Sequence, residues 1–117
     1  MKTILKLEEL AQMILGIYIF SLLSLSWWWF IALFFAPDIG MLGYLFNNKV
    51  GAWFYNIFHH KGLAIVLYLV GVYLKLEILQ VVGIIVFSHS AFDRFMGYGL
   101  KWERGFKYTH LGEIGKI

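Results

Sequence analysis

The sequence predicts an all-α integral membrane protein, built as an up-down-up-down four-helix bundle. Hydrophobic residues make up 61% of its 117 residues and charged residues 15%, and the mean hydropathy is +0.73. Soluble domains are nearer ~45–50% apolar and ~25% charged, so much of this chain is suited to lipid. Three short polar turns, at residues 24–26, 47–49 and 75–77, divide it into four apolar segments. The length permits one domain, which we take as residues 1–117.

The composition excludes several classes of protein. The chain has no cysteine, which rules out disulfides, thiolate metal ligands and a cysteine nucleophile. The net charge of +3 does not indicate nucleic-acid binding, because membrane proteins carry such an excess for orientation and for contact with anionic headgroups. The absence of a GxSxG motif disfavours an acyl-enzyme hydrolase. We therefore expect membrane lipids as partners and no nucleic acid.

The first apolar segment, from Leu5 to about Ser24, is predicted to be an uncleaved transmembrane helix. A secretory signal peptide is the alternative. Against it, Glu8 and Glu9 precede the apolar run, and three tryptophans at residues 27–29 follow it where small cleavage-site residues belong. The tryptophans suit an interfacial aromatic belt instead.

The second segment, from Trp27 to about Phe46, is predicted to break near Pro37. A proline inside a helix removes a backbone hydrogen bond, and it pushes the preceding Ala36 away from helical geometry. We therefore expect a helix to about Phe35, a break, and a short helix that restarts at Pro37. Proline followed by an acid suits the first turn of a helix.

The third segment is predicted as one helix over residues 50–74 and the fourth as one over residues 78–100. Residues 101–117 form a basic, glycine-containing tail, which we place along the membrane surface. Tight turns between antiparallel helices put both termini on one side. That side has most of the cations, namely Lys2, Lys6, Lys49, Arg94, Lys101, Arg104, Lys107 and Lys116. The positive-inside tendency therefore predicts that both termini are cytoplasmic.

Acids and imidazoles converge on one layer of this predicted bundle. His89 and Asp93 are four residues apart on the fourth segment, so they share a helix face. Counting residues outward from each turn places His59 level with this pair and Asp38 level with His59. By the same count Glu8 lies about one helical turn from Asp38. The layer thus draws polar residues from all four segments.

Burying such a layer is costly, since each ionisable group within a membrane helix costs on the order of 2.5–3.5 kcal/mol. A divalent cation held by inward-facing imidazoles and carboxylates offsets this cost. The alternative is a set of polar helix ends that are solvated and paired separately at the headgroup level. We expect His59, His89, Asp93 and Asp38 as metal ligands, with Glu8 or Asp38 as a catalytic base.

Other polar residues are expected to support these ligands. Asn56 is three residues before His59 and hydrogen-bonds a ligand or the backbone. Tyr55 is either an interfacial aromatic residue or a partner of a ligand. His110 lies in the tail, where it would fold back over the site as a lid. Asp93 itself either binds the ion or orients a ligating imidazole.

Several motifs resemble one family, and the resemblance covers nearly the whole chain. They are Leu7-Glu8, Ala36-Pro37-Asp38, residues 41–44 (MLGY), Gly51 with Tyr55-Asn56 and His59, Phe92-Asp93-Arg94, residues 97–101 (GYGLK) and residues 109–112 (THLG). The set is similar to the small bacterial membrane proteins catalogued as domain of unknown function 4260. The resemblance implies a multi-helix protein of the bacterial inner membrane and brings no activity. It also implies that His59, rather than His60, is the ligand.

Two functions compete on these residues. The first is a membrane-embedded enzyme that uses zinc, manganese or iron and acts on a lipid or another amphiphile. The second is a non-enzymatic membrane protein whose polar layer fixes helix register or conducts ions or protons; transport would then require a homo-oligomer. Haem between His59 and His89 is disfavoured, because the neighbouring acids suit a largely apolar macrocycle poorly.

Overall fold

Helices account for most of the fold, and their order follows the apolar segments of the sequence. The computed structural model describes residues 1–103 and 105–114, so Arg104 and residues 115–117 of the predicted tail lie outside the described residues. The elements are α1 (Lys2–Ser21), α2 (Trp27–Leu33), a 3₁₀ helix (Ala36–Leu45), α3 (Asn48–Phe58), α4 (Lys61–Leu74), α5 (Glu77–Met96), β1 (Tyr108–Thr109) and β2 (Gly112–Glu113). The two strands are antiparallel.

α5 is the helix around which the others pack. α1 and α4 lie against it, while the 3₁₀ helix packs mainly on α3 and also touches α5. Eleven of the 20 residues of α5 are buried, because neighbours cover it on more than one side. The apolar core joins Val81, Ile84 and Ile85 of α5 to Phe20 of α1 and Phe30 of α2. The second half of α5 is buried as well, although it is polar, and it positions the site described below.

Gly83 allows α4 and α5 to approach closely. A Cβ atom at Gly83 would lie 2.6 Å from the Ala64 carbonyl oxygen and 2.7 Å from the Tyr68 nitrogen, both in the backbone of α4. We expect Gly83→Ala to lower the free energy of unfolding by about 2 kcal/mol, because overpacking a tight contact costs about 1–3 kcal/mol. Thermal unfolding in detergent, followed by circular dichroism, measures the change.

Gly62→Ala is the matched control for this prediction. A Cβ atom at Gly62 would meet only the ring of His60, an exposed side chain that can move aside. Alanine favours a helix over glycine by about 1 kcal/mol, and displacing the His60 ring from its hydrogen bond with the Leu63 N–H costs about as much, so Gly62→Ala should be close to neutral. A Gly83→Ala variant as stable as wild type would contradict the proposed tightness of the α4–α5 contact.

The second apolar segment has the break expected near Pro37, but its second half differs from the prediction. α2 ends at Leu33, and Pro37 lies in the first turn of a ten-residue 3₁₀ helix instead of a short α-helix. Gly43 brings this helix close to α3, since a Cβ atom there would lie 2.8 Å from the Val50 carbonyl oxygen. The 3₁₀ helix after the break therefore begins with a carboxylate, Asp38, in its first turn, and it packs directly on α3.

The prediction of one helix across residues 50–74 is wrong. α3 and α4 are separate helices that meet at an angle of 44°. His60 caps α4, because its Nδ1 accepts a hydrogen bond from the Leu63 N–H at 2.9 Å. His59 then occupies the C-cap of α3. The described chain has five α-helices instead of the four expected, and the extra break determines where His59 lies.

The tail begins earlier than expected and packs on α3. α5 ends at Met96 instead of near residue 100, because Gly97 adopts a left-handed φ of 95°. Asn56 then binds the backbone of Lys101 twice: its Nδ2 donates to the carbonyl oxygen at 2.8 Å, and its Oδ1 accepts from the N–H at 2.6 Å. A short β1–β2 hairpin follows. The placement of the tail along a membrane surface stays a prediction.

Two helical stretches within residues 1–103 and 105–114 are long and apolar enough to cross a membrane, namely Trp27–Leu45 and Glu77–Met96. A third is added if α3 and α4 are counted as one bent span. α1 is not among them, since Lys6, Glu8 and Glu9 fall in its first half. Of the four crossings expected from the sequence, two or three are therefore supported by length and composition.

Candidate metal centre

Two carboxylates and two imidazoles meet where three parts of the fold join. Asp38 comes from the 3₁₀ helix, His59 from the end of α3, and His89 and Asp93 from α5. One ligand atom from each residue lies within 4.8 Å of the other three. Nε2 of His59 lies 3.3 Å from Asp38 Oδ1 and 3.2 Å from Asp93 Oδ2. Nε2 of His89 lies 3.1 Å from Asp38 Oδ1 and 3.5 Å from Asp93 Oδ1. The structure thus brings together all four residues predicted as ligands; we call them the Asp/His cluster.

Burial divides the Asp/His cluster into a closed part and an open part. The exposed fraction is 1% for His59, 1% for His89 and 7% for Asp93. The side chain of Asp38, in contrast, is 39% exposed. The cluster therefore opens to its surroundings on the Asp38 side.

The hydrogen on His59 can be placed from its contact with the backbone. Nδ1 lies 2.8 Å from the Tyr55 carbonyl oxygen, which can only accept, so Nδ1 carries a hydrogen. In a neutral ring Nε2 then holds a lone pair, and this lone pair faces carboxylate oxygens of Asp38 and Asp93. Such an arrangement is repulsive. A positive charge at this point, either a second ring proton or a metal ion, makes it favourable.

His89 reaches the same point from an aromatic surrounding. Its ring centroid lies 5.3 Å from that of Phe34 and 5.8 Å from that of Phe35. Its Nδ1 is buried and has no hydrogen-bond partner among the described residues. Nε2 is therefore the ring nitrogen with polar neighbours, and both of those neighbours are carboxylates. Because its ring is otherwise surrounded by aromatic side chains, His89 makes its polar contacts only within the cluster.

The imidazole–carboxylate distances are those expected around a four-coordinate ion. Atoms bonded at ~2.0–2.1 Å to a tetrahedral ion are separated from one another by roughly 3.3–3.4 Å. The four N···O distances in the cluster run from 3.1 to 3.5 Å, with both carboxylate oxygens of Asp93 in use. The four ligand atoms as a group lie within 4.8 Å of one another, so an ion of zinc's size would draw the wider pairs together.

Tyr55 holds two of these ligands in place from α3. Its hydroxyl donates to Asp93 Oδ2 at 2.8 Å. Its ring stacks on the ring of His59, with centroids 3.8 Å apart and planes within 8°. Tyr55 is itself buried. It therefore fixes the rotamer of Asp93 and the plane of the His59 ring, as partners of metal ligands do.

Arg94 binds the backbone beside the Asp/His cluster and not its acids. Its Nη1 donates to the Ser90 carbonyl oxygen at 3.0 Å and its Nη2 to the His59 carbonyl oxygen at 3.1 Å. The second bond satisfies a carbonyl at the C-terminal end of α3, which has no partner within the helix. Arg94 thus ties α5 to the α3–α4 break at the residue that presents an imidazole.

Glu8, predicted as a catalytic base, lies outside the Asp/His cluster. It is exposed on α1, whereas the next residue, Glu9, turns inward to Lys61. Lys61 Nζ donates to the two carboxylate oxygens of Glu9 at 2.9 and 2.7 Å. One step along a helix rotates the side chain by about 100°, which sends the two acids in different directions.

Asn56 and His110 also stand away from the ligands. The sequence predicted that Asn56 hydrogen-bonds either a ligand or the backbone. In the structure its side chain bonds the backbone of Lys101. The structure does not bring His110 to the cluster as a lid. Its Nδ1 accepts a hydrogen bond from the Leu100 N–H at 2.8 Å, and its ring lines a separate pocket beside α1.

Lys101 is a buried cation that sequence reasoning counted only as a tail lysine. It is 4% exposed, and its Nζ has no hydrogen-bond partner among the described residues. Nζ lies over the Phe106 ring at 3.9 Å and the Tyr55 ring at 4.7 Å. Burial lowers the pKa of Lys101 to about 8. Its place at the end of the GYGLK motif is the one signal in the sequence that separates it from the other tail lysines.

Lys101→Met is expected to raise the free energy of unfolding at pH 7 by about 2 kcal/mol, since it removes a charge that is costly to bury. The unfolded chain keeps the proton up to an ordinary pKa of 10.5, whereas the folded chain releases it near 8. The free energy of unfolding of the wild type therefore rises between pH 8 and pH 10.5, because folded Lys101 has released its proton there and the unfolded chain still holds it. The variant lacks this increase.

Denaturant unfolding at pH 7 and pH 10 measures the effect, with Lys107→Met as the control at an exposed lysine of the same tail. The gap between Lys101→Met and wild type should close at the higher pH. A difference in the free energy of unfolding that is the same at pH 7 and pH 10 would contradict the lowered pKa of Lys101.

The family of the chain is shown by comparison with known proteins. The family described as a domain of unknown function (DUF4260) matches residues 2–114, so the chain belongs to it. The resemblance seen in the sequence motifs is thereby confirmed. No curated protein and no solved structure matches the chain. Family membership assigns no activity, so a function has to be argued from the Asp/His cluster.

Proposed function

We propose that this DUF4260 protein is a membrane-embedded, metal-dependent enzyme that acts on a lipid or another amphiphile. Asp38, His59, His89 and Asp93 bind one divalent cation. The observation that carries the proposal is the orientation of His59, whose Nδ1 is committed to the Tyr55 carbonyl while Nε2 faces two carboxylates. Metal-binding imidazoles commonly donate their second nitrogen to a backbone carbonyl or carboxylate in this way.

The charge of the Asp/His cluster supports an ion. With neutral imidazoles, Asp38 and Asp93 leave two negative charges in a largely buried site. Among the described residues no lysine or arginine forms an ion pair with either acid, since Lys61 pairs with Glu9 and Arg94 binds backbone carbonyls. A divalent cation neutralises both carboxylates and so offsets the cost of burying them.

Zinc fits the site best. A cysteine-free set of nitrogen and oxygen ligands suits zinc, manganese and iron. The 3.1–3.5 Å distances between imidazole nitrogens and carboxylate oxygens are close to those of four-coordinate geometry, which zinc prefers, whereas manganese favours six oxygen ligands. Iron held by two histidines and a carboxylate is the runner-up.

The difference in burial assigns roles to the residues. Catalytic zinc sites generally use three protein ligands and keep one position open. His59, His89 and Asp93 are the buried, fixed ligands, and Asp38 lies at the exposed side. An ion held by His59, His89 and Asp93 would supply a bound water of lowered pKa at the open position. Asp38, at that side, would take up the proton of the water and return it to the alcohol released from an ester or phosphoester. The exposed Glu8 is not needed for this role.

An apolar groove beside Asp38 supports an amphiphilic substrate. The groove has a volume of about 150 Å³, and Pro37 and Ile39, on either side of Asp38 in the chain, line it. Phe58, the neighbour of His59, lines it as well. A hydrocarbon chain in this groove would place its attached polar group next to the open side of the cluster.

The proposed position in the membrane follows from the spans and the lysines. We place Trp27–Leu45, the bent α3–α4 pair and α5 across the bacterial inner membrane, and α1, which packs along α5, crosses beside it with its charged first half at the cytoplasmic face. Four crossings put both termini in the cytoplasm. Asp93 is three residues from the end of α5 at Met96, so the cluster lies near the cytoplasmic face. Lipids of the cytoplasmic leaflet then have access to it.

Metal analysis of the purified protein tests this proposal. Protein extracted in a non-ionic detergent without chelator should contain about one ion per chain, read by plasma mass spectrometry. The double variant His59→Ala/His89→Ala should contain none. His110→Ala, an imidazole outside the cluster, is the matched control and should keep the ion. Metal-free wild type, or a double variant that retains the ion, would overturn the proposal.

The enzymatic part needs its own measurement. The metal-loaded protein is expected to turn over short-chain esters or phosphoesters, to stop when a chelator is added, and to recover with zinc. Turnover that is insensitive to the chelator would remove the metal from the reaction.

The orientation of His59 also fits a second candidate function. A second ring proton would satisfy the same contacts with Asp38 and Asp93 without an ion. The cluster would then be a structural or proton-conducting network, and a homo-oligomer would be required for transport. This alternative predicts a protein that is metal-free and fully stable in the presence of a chelator.

A further inference from the structure

A second pocket lies between α1, α4, α5 and the tail, apart from the Asp/His cluster. Its volume is about 330 Å³, within the ~300–1,000 Å³ range of small-molecule sites. Cations from three helices line it: Lys2 and Lys6 of α1, Lys61 of α4 and Arg94 of α5. Glu9 is the one acid among its described lining residues. We call it the basic pocket.

The cations of the basic pocket outnumber their partners. Lys61 Nζ donates to both oxygens of Glu9 and to Gln12 Oε1 at 2.7 Å, which commits the single carboxylate. Lys2 and Lys6 are four residues apart on one face of α1 and form no ion pair with any residue of the described chain. The pocket therefore presents unbalanced positive charge.

Two other lining residues of this pocket carry hydrogen-bond donors. Arg94 is 8% exposed and spends two of its five N–H groups on backbone carbonyls. Nδ1 of His110 accepts from the Leu100 N–H, so a neutral ring has its hydrogen on Nε2. Burial, followed by the charge of Arg94, lowers the pKa of His110, which keeps the ring neutral and Nε2 a donor near pH 7.

The remaining wall of the basic pocket is apolar. Leu5, Met96 and Leu111 line it beside the cations. Leu5 is 48% exposed and Met96 is 52% exposed, so this wall continues onto the outer surface of the protein. A ligand that pairs with the cations and also packs on the apolar residues has an anionic group attached to a hydrocarbon.

We propose that the basic pocket binds the phosphate group of an anionic amphiphile. Lys2, Lys6, Arg94 and His110 surround the phosphate, and the hydrocarbon lies along the apolar wall. A phosphate has at least three acceptor oxygens, and it therefore uses donors that arrive from several elements. Basic pockets between membrane helices on the cytoplasmic side bind phosphate-bearing headgroups by this chemistry. The site contains none of the proposed metal ligands and does not require the ion.

Binding of short-chain lipids to the full chain in non-ionic detergent tests the proposal, with isothermal titration calorimetry as the readout. Dihexanoyl phosphatidic acid should bind at least about tenfold more tightly than dihexanoyl phosphatidylcholine. Lys2→Gln/Lys6→Gln should weaken binding of phosphatidic acid by at least about tenfold, since each lysine near an anionic headgroup contributes a factor of about five. Lys49→Gln/Lys75→Gln removes the same charge from exposed lysines outside the pocket and should leave binding unchanged.

Inorganic phosphate is the second arm of the experiment and identifies the source of the anion. Weak binding of phosphate beside tight binding of phosphatidic acid supports a lipid headgroup. Equal binding of both, lost together in Lys2→Gln/Lys6→Gln, supports the same anion site with free phosphate as its source. Equal affinity for phosphatidic acid and phosphatidylcholine, or an unchanged affinity in that variant, overturns the proposal. Metal content is measured on the same samples, so failure of this site is distinguished from failure of the metal centre.

Discussion

Asp38→Asn is expected to weaken metal binding by at least about 100-fold, or about 2.7 kcal/mol, and to abolish metal-dependent turnover. Asp38 Oδ1 lies 3.3 Å from Nε2 of His59 and 3.1 Å from Nε2 of His89, so this oxygen completes the ligand set. Asparagine keeps the shape of the side chain and removes the negative charge that the cation needs. Competition with a chromogenic zinc chelator measures the affinity.

Glu8→Gln is the matched control, because it makes the same charge change at an exposed acid outside the Asp/His cluster. Its metal affinity and turnover should stay within about twofold of wild type. A Glu8→Gln variant that binds the ion and is inactive would make Glu8 the base in place of Asp38. An Asp38→Asn variant with wild-type affinity would remove Asp38 from the ligand set.

Removal of the ion is expected to lower the free energy of unfolding by about 4 kcal/mol, when the reference is protein in free zinc at about 1,000 times its dissociation constant. The ligands come from three elements of the fold, and the unfolded chain does not hold them together. Thermal unfolding in detergent, with and without a chelator, measures the loss. Equal stability under both conditions would contradict a structural role for the ion.

Asp93→Asn separates the metal centre from a protonated His59. If an ion balances the cluster, zinc stabilises wild type and leaves Asp93→Asn unchanged, because the variant has lost a charged ligand. Its amide oxygen keeps the hydrogen bond that the Tyr55 hydroxyl donates to Asp93 Oδ2 at 2.8 Å, so the fold is retained. If a second ring proton balances the cluster, zinc affects neither protein, and the variant loses about 3–5 kcal/mol in zinc and in chelator alike, since it breaks a buried ion pair. Unfolding with zinc and with chelator therefore decides between the two.

The candidate ligands could be predicted because spacing along the chain constrains their position. A separation of four residues on one helix makes His89 and Asp93 neighbours whatever the rest of the fold does. Counting from the turns places His59 and Asp38 at the same level, and the structure has breaks between helices close to those turns. Level along a helix can thus be estimated from the sequence alone.

Rotation about a helix axis could not be estimated in the same way. Residue counting gives the level of Glu8 but not its direction, and α1 presents Glu9 to the interior instead. The break at His59–His60 lies in a short polar run, residues 59–62 (HHKG), but a run of four residues inside a long apolar segment does not mark it as a helix boundary. The burial of Lys101 depends on rings from α3 and from the tail, so it appears only once the chain is folded.

α5, on which α1 and α4 pack, is the last helix of the described chain to leave the ribosome. Until it emerges, Asp38 and His59 have neither His89 nor Asp93 to meet. A nascent chain therefore assembles the Asp/His cluster only after α5 has emerged, and one truncated before residue 77 lacks two of the four residues. Formation of the cluster thus follows synthesis and insertion of all five α-helices that the structure describes.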